Sequence, residues 1–279
     1  YSFGCEGFKQ KCGNCPQLNP SEAKDHSHII WQRKKELLAD LPICFVAPTS
    51  WGRERLSQSS LFGHHRCELI PYPIDPQIFR PFDRSVARDL LHLPQDKKIL
   101  FFGATYLEDR RKGMPLLLEA LAAARTFTSA ISPDDIFLLI AGLNGKHLLD
   151  KLPFAGKYVG QLNDELTLAL AYQAADIFVC SSIEDAGPMM IPEAMMCGTP
   201  VVAFNAGGAP DLIETMKTGY LANFADAHDL AHGIWCVLGA DNESAICDAA
   251  QMKAREHHLP SNIAEQYSKL LQSLVKYDD

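Results

Sequence analysis

Short apolar runs alternating with helical stretches constrain this chain most. From about position 97, strands are expected at 99–103, 136–141, 158–160, 176–181, 200–204 and 220–223. Between and after them the apolar spacing predicts helices over 114–125, 146–151, 164–175, 191–197, 210–215, 227–238, 243–257 and 262–275. Most of these strands lack polar alternation, so both of their faces need cover. That implies an α/β fold with a parallel sheet between helical layers. Ligands of such sheets bind beyond the carboxyl ends of the strands. The loops after 99–103, 176–181 and 200–204 are therefore expected to share one crevice.

The first part of the chain reads differently. Residues 5–20 are irregular and rich in Cys, Gly and Pro. A helix is predicted over 27–39, a strand at 43–47, a helix over 51–62 capped by Ser50, and a strand at 67–71. Pro71, Pro73, Pro76 and Pro81 then mark an extended linker, with a new unit starting at Lys97. The chain opens in mid-pattern with Tyr-Ser-Phe, and we expect it to be a piece of a longer protein.

Composition excludes some partners. The 279 residues carry a net charge of −8. Residues 1–95 balance at +2 and residues 96–279 at −10. An acidic second part argues against nucleic acid as a partner. No apolar run approaches the ~20 residues that span a bilayer. No signal peptide is visible, and nine cysteines is an odd count. Both favour a reducing cytoplasm over a disulfide framework, with peripheral membrane contact left open. Cys44, Cys180, Cys197, Cys236 and Cys247 read as small core residues.

The chemistry concentrates in 176–208, DIFVCSSIEDAGPMMIPEAMMCGTPVVAFNAGG. A strand runs into a turn with adjacent acids, Glu184 and Asp185, then Gly187-Pro188, then a helix with Glu193 near its start. A second strand at 200–204 follows, and Gly207-Gly208 closes the loop after it. Two βα turns thus bring acids, flexible backbone and a helix N-terminus to one sheet edge. Free N–H groups there suit phosphate, and carboxylates suit sugar hydroxyls. No GxSxG appears, no GxGxxG follows a strand, and no DxD-type metal motif stands out.

With these motifs in order, residues 97–275 resemble the donor-binding domain of family-four retaining glycosyltransferases. The marks are Lys112-Gly113, the block 184–193, CGTPVVAFNAGG at 197–208 and TGYL at 218–221. IPYPIDPQIFRP at 70–81 resembles the family's interdomain segment, and the loop EDAGPM resembles the EDNLPN loops of exopolysaccharide, O-antigen and capsule enzymes. The resemblance implies a GT-B fold, with a Rossmann-like C-terminal domain and a partial N-terminal one. Residues 1–82 would be the end of the acceptor-binding domain with the linker. Residues 83–261 would bind the donor, and 262–279 would be a helix crossing back.

It also implies a function: transfer of a sugar from a UDP- or GDP-linked donor to a glycan or lipid-linked acceptor, with retention and no metal or other cofactor. A donor-binding module without turnover, a GT-B phosphorylase and an assembly scaffold are the alternatives.

The implied roles fall on specific residues. Glu193 takes the ribose hydroxyls. Glu184 and Asp185 hold the donor sugar and act catalytically at its anomeric end. Seven residues separate Asp185 from Glu193 and eight separate Glu184 from it, so either acid can take the family's first acidic position. Lys112, with Arg110 or Arg111, neutralises the diphosphate leaving group. Gly187, Pro188, Met189 and Met190 line sugar and phosphates mainly with backbone, although the two Met side chains read better as core. Gly207 and Gly208 let backbone approach the donor, or make a tight turn. Backbone at 160–162, starting at Gly160, faces the base.

Plain alternatives stand beside these roles. Glu193 could simply complement a helix dipole, 184–185 could be a solvated acidic turn, and 110–112 a solvated basic one. Cys5, Cys12 and Cys15, with His26 or His28, hold part of a zinc pattern but lack a second CxxC pair. A metal-free loop is the preferred reading there.

Overall fold

A computed structural model describes residues 4–38, 40–127 and 131–275. Ala39, the end of the helix expected over 27–39, and 276–279, the end of the segment expected over 262–279, lie outside the described residues. The chain divides into two compact units. The smaller comprises residues up to Pro71 with the stretch from Tyr267 onward, and the larger is Tyr72–Gln266.

The smaller unit contains α1 (His26–Leu38), β1 (Phe45–Ala47), α2 (Ser50–Ser57) and β2 (Cys67–Leu69). β1 and β2 are parallel, with Phe45 opposite Cys67. Thr49 rather than Ser50 caps α2, its Oγ1 accepting from the Gly52 N–H at 3.1 Å. The helix also stops at Ser57, short of the expected 62. There the Ser57 hydroxyl donates to the Glu54 carbonyl, and a serine-rich turn follows.

The larger unit begins with a segment that is extended, as its prolines demand, but not loose. Ile74 and Phe79 are buried in its core, and the Ile74 N–H donates to the His258 carbonyl at 2.9 Å. Next comes α3 (Arg84–Leu90), which the sequence reading left without structure. Asp83 caps it by accepting from the Ser85 and Val86 N–H groups. Arg88, 6% exposed, reaches across to Asp176, 4% exposed, with Nη2 2.7 Å from Oδ2. Arg84 Nη1 lies 2.9 Å from Asp176 Oδ1 and 3.1 Å from Glu243 Oε1, and the Ile99 N–H donates to Asp176 Oδ2 at 2.6 Å. Lys98 adds a further cation, 3.1 Å from Glu243 Oε2. A carboxylate this buried survives because several donors satisfy it.

The sheet strands follow, interleaved with helices. They are β3 (Lys98–Tyr106), α4 (Met114–Ala124), β4 (Ile136–Leu143), β5 (Ala155–Tyr158), α5 (Glu165–Ala174), β6 (Ile177–Cys180), α6 (Met190–Met196), β7 (Val201–Phe204), β8 (Gly219–Ala222), α7 (Ala227–Leu238) and α8 (Glu243–His258). α9 (Pro260–Val275) ends the described chain. The stretches expected as helices at 146–151 and 210–215 are instead tight 3-10 turns, Lys146–Lys151 and Ala209–Asp211. Neither has a side-chain cap, and each is too short to repay helix nucleation.

All six strands are parallel, in the order β5-β4-β3-β6-β7-β8. Successive residues face opposite layers. Ile99 and Phe101 pack with Tyr172, Phe178, Ile191 and Met195 on one side. Leu100 and Phe102 pack with Leu117, Ile177, Val202 and Leu230 on the other. Both faces are therefore covered, as the apolar runs require. The chain winds outward one way from β3 and then the other way from β6. That order reversal puts a topological switch point between β3 and β6, where doubly wound sheets open a crevice.

Among the described residues, no helix is long and apolar enough to cross a membrane. The nine cysteines are free thiols. Of the five expected in the core, Cys180 and Cys197 are buried, while Cys44, Cys236 and Cys247 are only half-buried.

Candidate functional site

Three loops meet at the carboxyl ends of β3, β6 and β7. After β3, Asp109 caps a 3-10 turn over Arg110–Lys112 by accepting from the Arg111 N–H at 2.9 Å. Gly113 closes the turn at φ 66°, a left-handed conformation that suits glycine. A Cβ there would lie 2.0 Å from the Ser181 carbonyl oxygen, so the turn rests directly on the end of β6. Two hydrogen bonds fasten it. The Ser181 hydroxyl donates to the Lys112 carbonyl at 2.8 Å, and the Ile183 N–H donates to the Arg111 carbonyl at 2.8 Å.

This fastening aims Lys112 across the switch point. Its Nζ lies 2.7 Å from Asp185 Oδ2, and both side chains are half-buried. Asp185 Oδ1 accepts from the Gly187 N–H at 3.2 Å. The loop after β7 completes the arrangement. The Gly208 N–H donates to the Asp185 carbonyl at 3.2 Å, and a Cβ on Gly207, at φ 54°, would stand 2.0 Å from that same oxygen. Lys112, Asp185, Gly187, Gly207 and Gly208 are thus brought together, as the sequence suggested.

The other expected residues take varied places. Arg111 is exposed, and its guanidinium grips Asp109 with contacts of 3.2 and 2.6 Å. That pair holds the Asp109 carboxyl below its usual range and raises Arg111. Arg110 is exposed in the same turn, and Glu184 is half-buried beside Asp185. Pro188 accepts from the Ile191 N–H through its carbonyl. Met189 precedes α6 without capping it, and the Met190 side chain lies where a Cβ on Gly103 would come within 2.9 Å of its Cε. Gly160 follows β5 at φ 77°, with no atom within 4 Å of a would-be Cβ.

Glu193 sits one turn into α6, with Tyr172 of α5 donating from its phenol to Oε2 at 3.0 Å. Burial pushes the Glu193 carboxyl up to about 7, against the opposing pull of that hydrogen bond. The fully buried Tyr172 phenol is itself pushed well above its ordinary value by burial and by the carboxylate. Sequence reasoning missed Tyr172, Ser181 and Asp109. A lone phenol on an otherwise apolar helix face was the available signal for the first.

No group of three or more His, Cys, Asp or Glu side chains among the described residues is placed to hold a metal ion. Cys5, Cys12 and Cys15 therefore form no such set. The order in this loop comes from Asp25, whose carboxylate accepts from the Cys15, Ser27 and His28 N–H groups.

Residues 96–239, half of the chain, match the family model for glycosyl transferases group 1. The chain belongs to that family. Similar proteins include the D-inositol 3-phosphate glycosyltransferase of Mycobacterium avium, 28% identical over 207 residues that cover 70% of this chain and 46% of the relative. That of Geodermatophilus obscurus is 31% identical over 191 residues, covering 62% and 40%. The chain spans under half the length of these relatives.

Among solved structures, sucrose-phosphate synthase from Thermosynechococcus elongatus superposes with a TM-score of 0.75 at 23% identity, covering 99% of this chain and 67% of that one. Anabaena Alr3699/HepE in complex with UDP and glucose gives 0.68 at 22% identity, covering 87% and 66%. These likenesses show the fold, which is GT-B, as the sequence motifs implied.

Proposed function

We propose that the protein takes part in retaining transfer of a sugar from a UDP- or GDP-linked donor to a glycan or lipid-linked acceptor, in bacterial surface polysaccharide synthesis. The observation that carries this reading is the Lys112–Asp185 contact at the switch point, with backbone from the β6 and β7 loops around it. A cation here suits the charge that develops on a leaving diphosphate as the glycosidic bond breaks. Asp185 and Glu184 are acids on the same rim, suited to the hydroxyls of a sugar held beside that diphosphate. Glu193 offers a carboxylate to a vicinal diol such as ribose, whose two O–H groups each donate one hydrogen bond. The solved UDP complex of Anabaena Alr3699/HepE supports a uridine nucleotide as the first probe. No divalent cation is needed in this scheme, since Lys112 supplies the charge.

Isothermal titration of UDP and GDP against the wild type and Glu193→Ala tests the donor site. Micromolar binding that falls at least tenfold in the variant is expected, from the loss of charge-assisted hydrogen bonds. Equal affinity would remove Glu193 from the site. EDTA should leave the affinity unchanged. The names of the relatives make D-inositol 3-phosphate an acceptor to compare with glycan and lipid-linked acceptors in turnover assays.

A further inference from the structure

Tyr172 stands where its only polar atom can act through one carboxylate. The side chain is 0% exposed. Its ring lies 5.3 Å from Phe101 and 5.3 Å from Phe178, both edge-on, with Phe79 at 6.4 Å. Its carbonyl accepts from the Thr199 hydroxyl at 2.8 Å, so the turn after α6 is tied to α5 as well. A ring packed this closely has little freedom to rotate away. Its phenol donates to Glu193 Oε2 at 3.0 Å, while Oε1 makes no hydrogen bond among the described residues.

We infer that Tyr172 is a positioning residue that fixes one oxygen of Glu193 and keeps the carboxylate ready to accept from the ribose diol of the donor nucleotide. The inference rests on the donor-binding reading above and adds a residue to it. A buried phenol would be satisfied by any acceptor, so hydrogen bonding alone does not require this partner. What sets the pair apart is its effect on charge. Burial favours the protonated carboxyl, whose O–H would compete with the ribose donors. The phenolic hydrogen bond opposes that and stabilises the anion. The other group acting on the carboxylate is Glu165 on α5, which disfavours the anion, and Cys197 at the end of α6 feels the Glu193 charge in turn. Tyr172 is therefore the neighbour that holds Glu193 in its accepting form.

The test is titration of UDP and GDP between pH 5.5 and 9 against the wild type, Tyr172→Phe and Glu193→Gln. Thermal unfolding of each variant checks that the fold persists, and phenylalanine retains the ring. In the wild type, affinity should rise with pH through about 7 as Glu193 loses its proton. In Tyr172→Phe the midpoint should move upward, with roughly tenfold weaker binding at pH 7 and recovery toward pH 9. Glu193→Gln should show a flat profile that Tyr172→Phe no longer changes. A 2′-deoxy nucleotide should be much less sensitive to Tyr172→Phe. A purely structural role would weaken binding equally at every pH. That result, or an unchanged midpoint and affinity, overturns the positioning role while donor binding stands. Failure of the wild type to bind either nucleotide at any pH overturns both.

Discussion

Lys112 Nζ and Asp185 Oδ2 lie 2.7 Å apart across the gap between β3 and β6, so the cation proposed to meet a diphosphate is paired with a neighbouring carboxylate. A bound diphosphate and Asp185 would compete for it. Asp185→Asn keeps an oxygen for the Gly187 N–H but releases the cation. It should bind UDP about threefold more tightly while turnover falls at least tenfold. Lys112→Ala should lower kcat by about 100-fold or more, as expected when transition-state charge loses its partner. Titration and initial-rate measurements on the three proteins check both outcomes.

Glu193 makes stability depend on pH. Its folded value of about 7 lies above the ordinary 4.5, so the folded protein holds this proton more tightly than the unfolded chain. The benefit is complete below pH 4.5 and is lost as pH rises toward 7. Glu193→Gln should match the wild type near pH 4.5 and exceed it at pH 8, by up to about 3 kcal/mol. Urea unfolding at the two pH values reads the difference directly.

Asp176 gathers Arg88, Arg84 and the Ile99 N–H at the amino ends of β3 and β6. Removing the acid leaves Arg88 buried without its counter-charge. Asp176→Ala should cost about 3–5 kcal/mol, and Asp176→Asn less, since it still accepts hydrogen bonds. Chemical denaturation of both variants tests the ranking.

Three glycines separate crowding from backbone strain. At Gly113 and Gly207 a Cβ would lie 2.0 Å from a carbonyl oxygen, whereas at Gly160 it would meet nothing within 4 Å. All three have positive φ. Gly160→Ala should cost about 1 kcal/mol, from the left-handed conformation alone. Gly113→Ala and Gly207→Ala should cost over 2 kcal/mol and also weaken UDP binding, because each displaces a loop that meets at Asp185. Thermal shifts with and without UDP distinguish the two classes.

Much of the donor unit is legible because its strands are apolar on both faces. Runs such as ILFFG and VVAF place the starts of their strands to within a residue, although β3 runs on to Tyr106 and β5 lies at Ala155–Tyr158 rather than the expected 158–160, and the acids at 184–185 and 193 follow from the turn and helix between such runs. The helix at Arg84–Leu90 is hidden by the prolines before it, although Asp83 supplies an N-cap signal. What its arginines bind is illegible, because Asp176 is 88 residues from Arg88 in sequence. The Tyr172–Glu193 bond is hidden for the same reason. It joins two helices whose relative placement only the packed layer decides.

The ion-pair network around Asp176 also reaches beyond the stretch that matches the family. The family match begins at residue 96 and ends at 239, leaving Arg84 and Arg88 upstream and Glu243 downstream. A polypeptide trimmed to that match would retain the Lys112–Asp185 rim while stripping both guanidinium groups from a sequestered aspartate. A fragment that keeps this network whole therefore has to reach past the recognisable motif on either side, to the α3 arginines before it and the first turn of α8 after it.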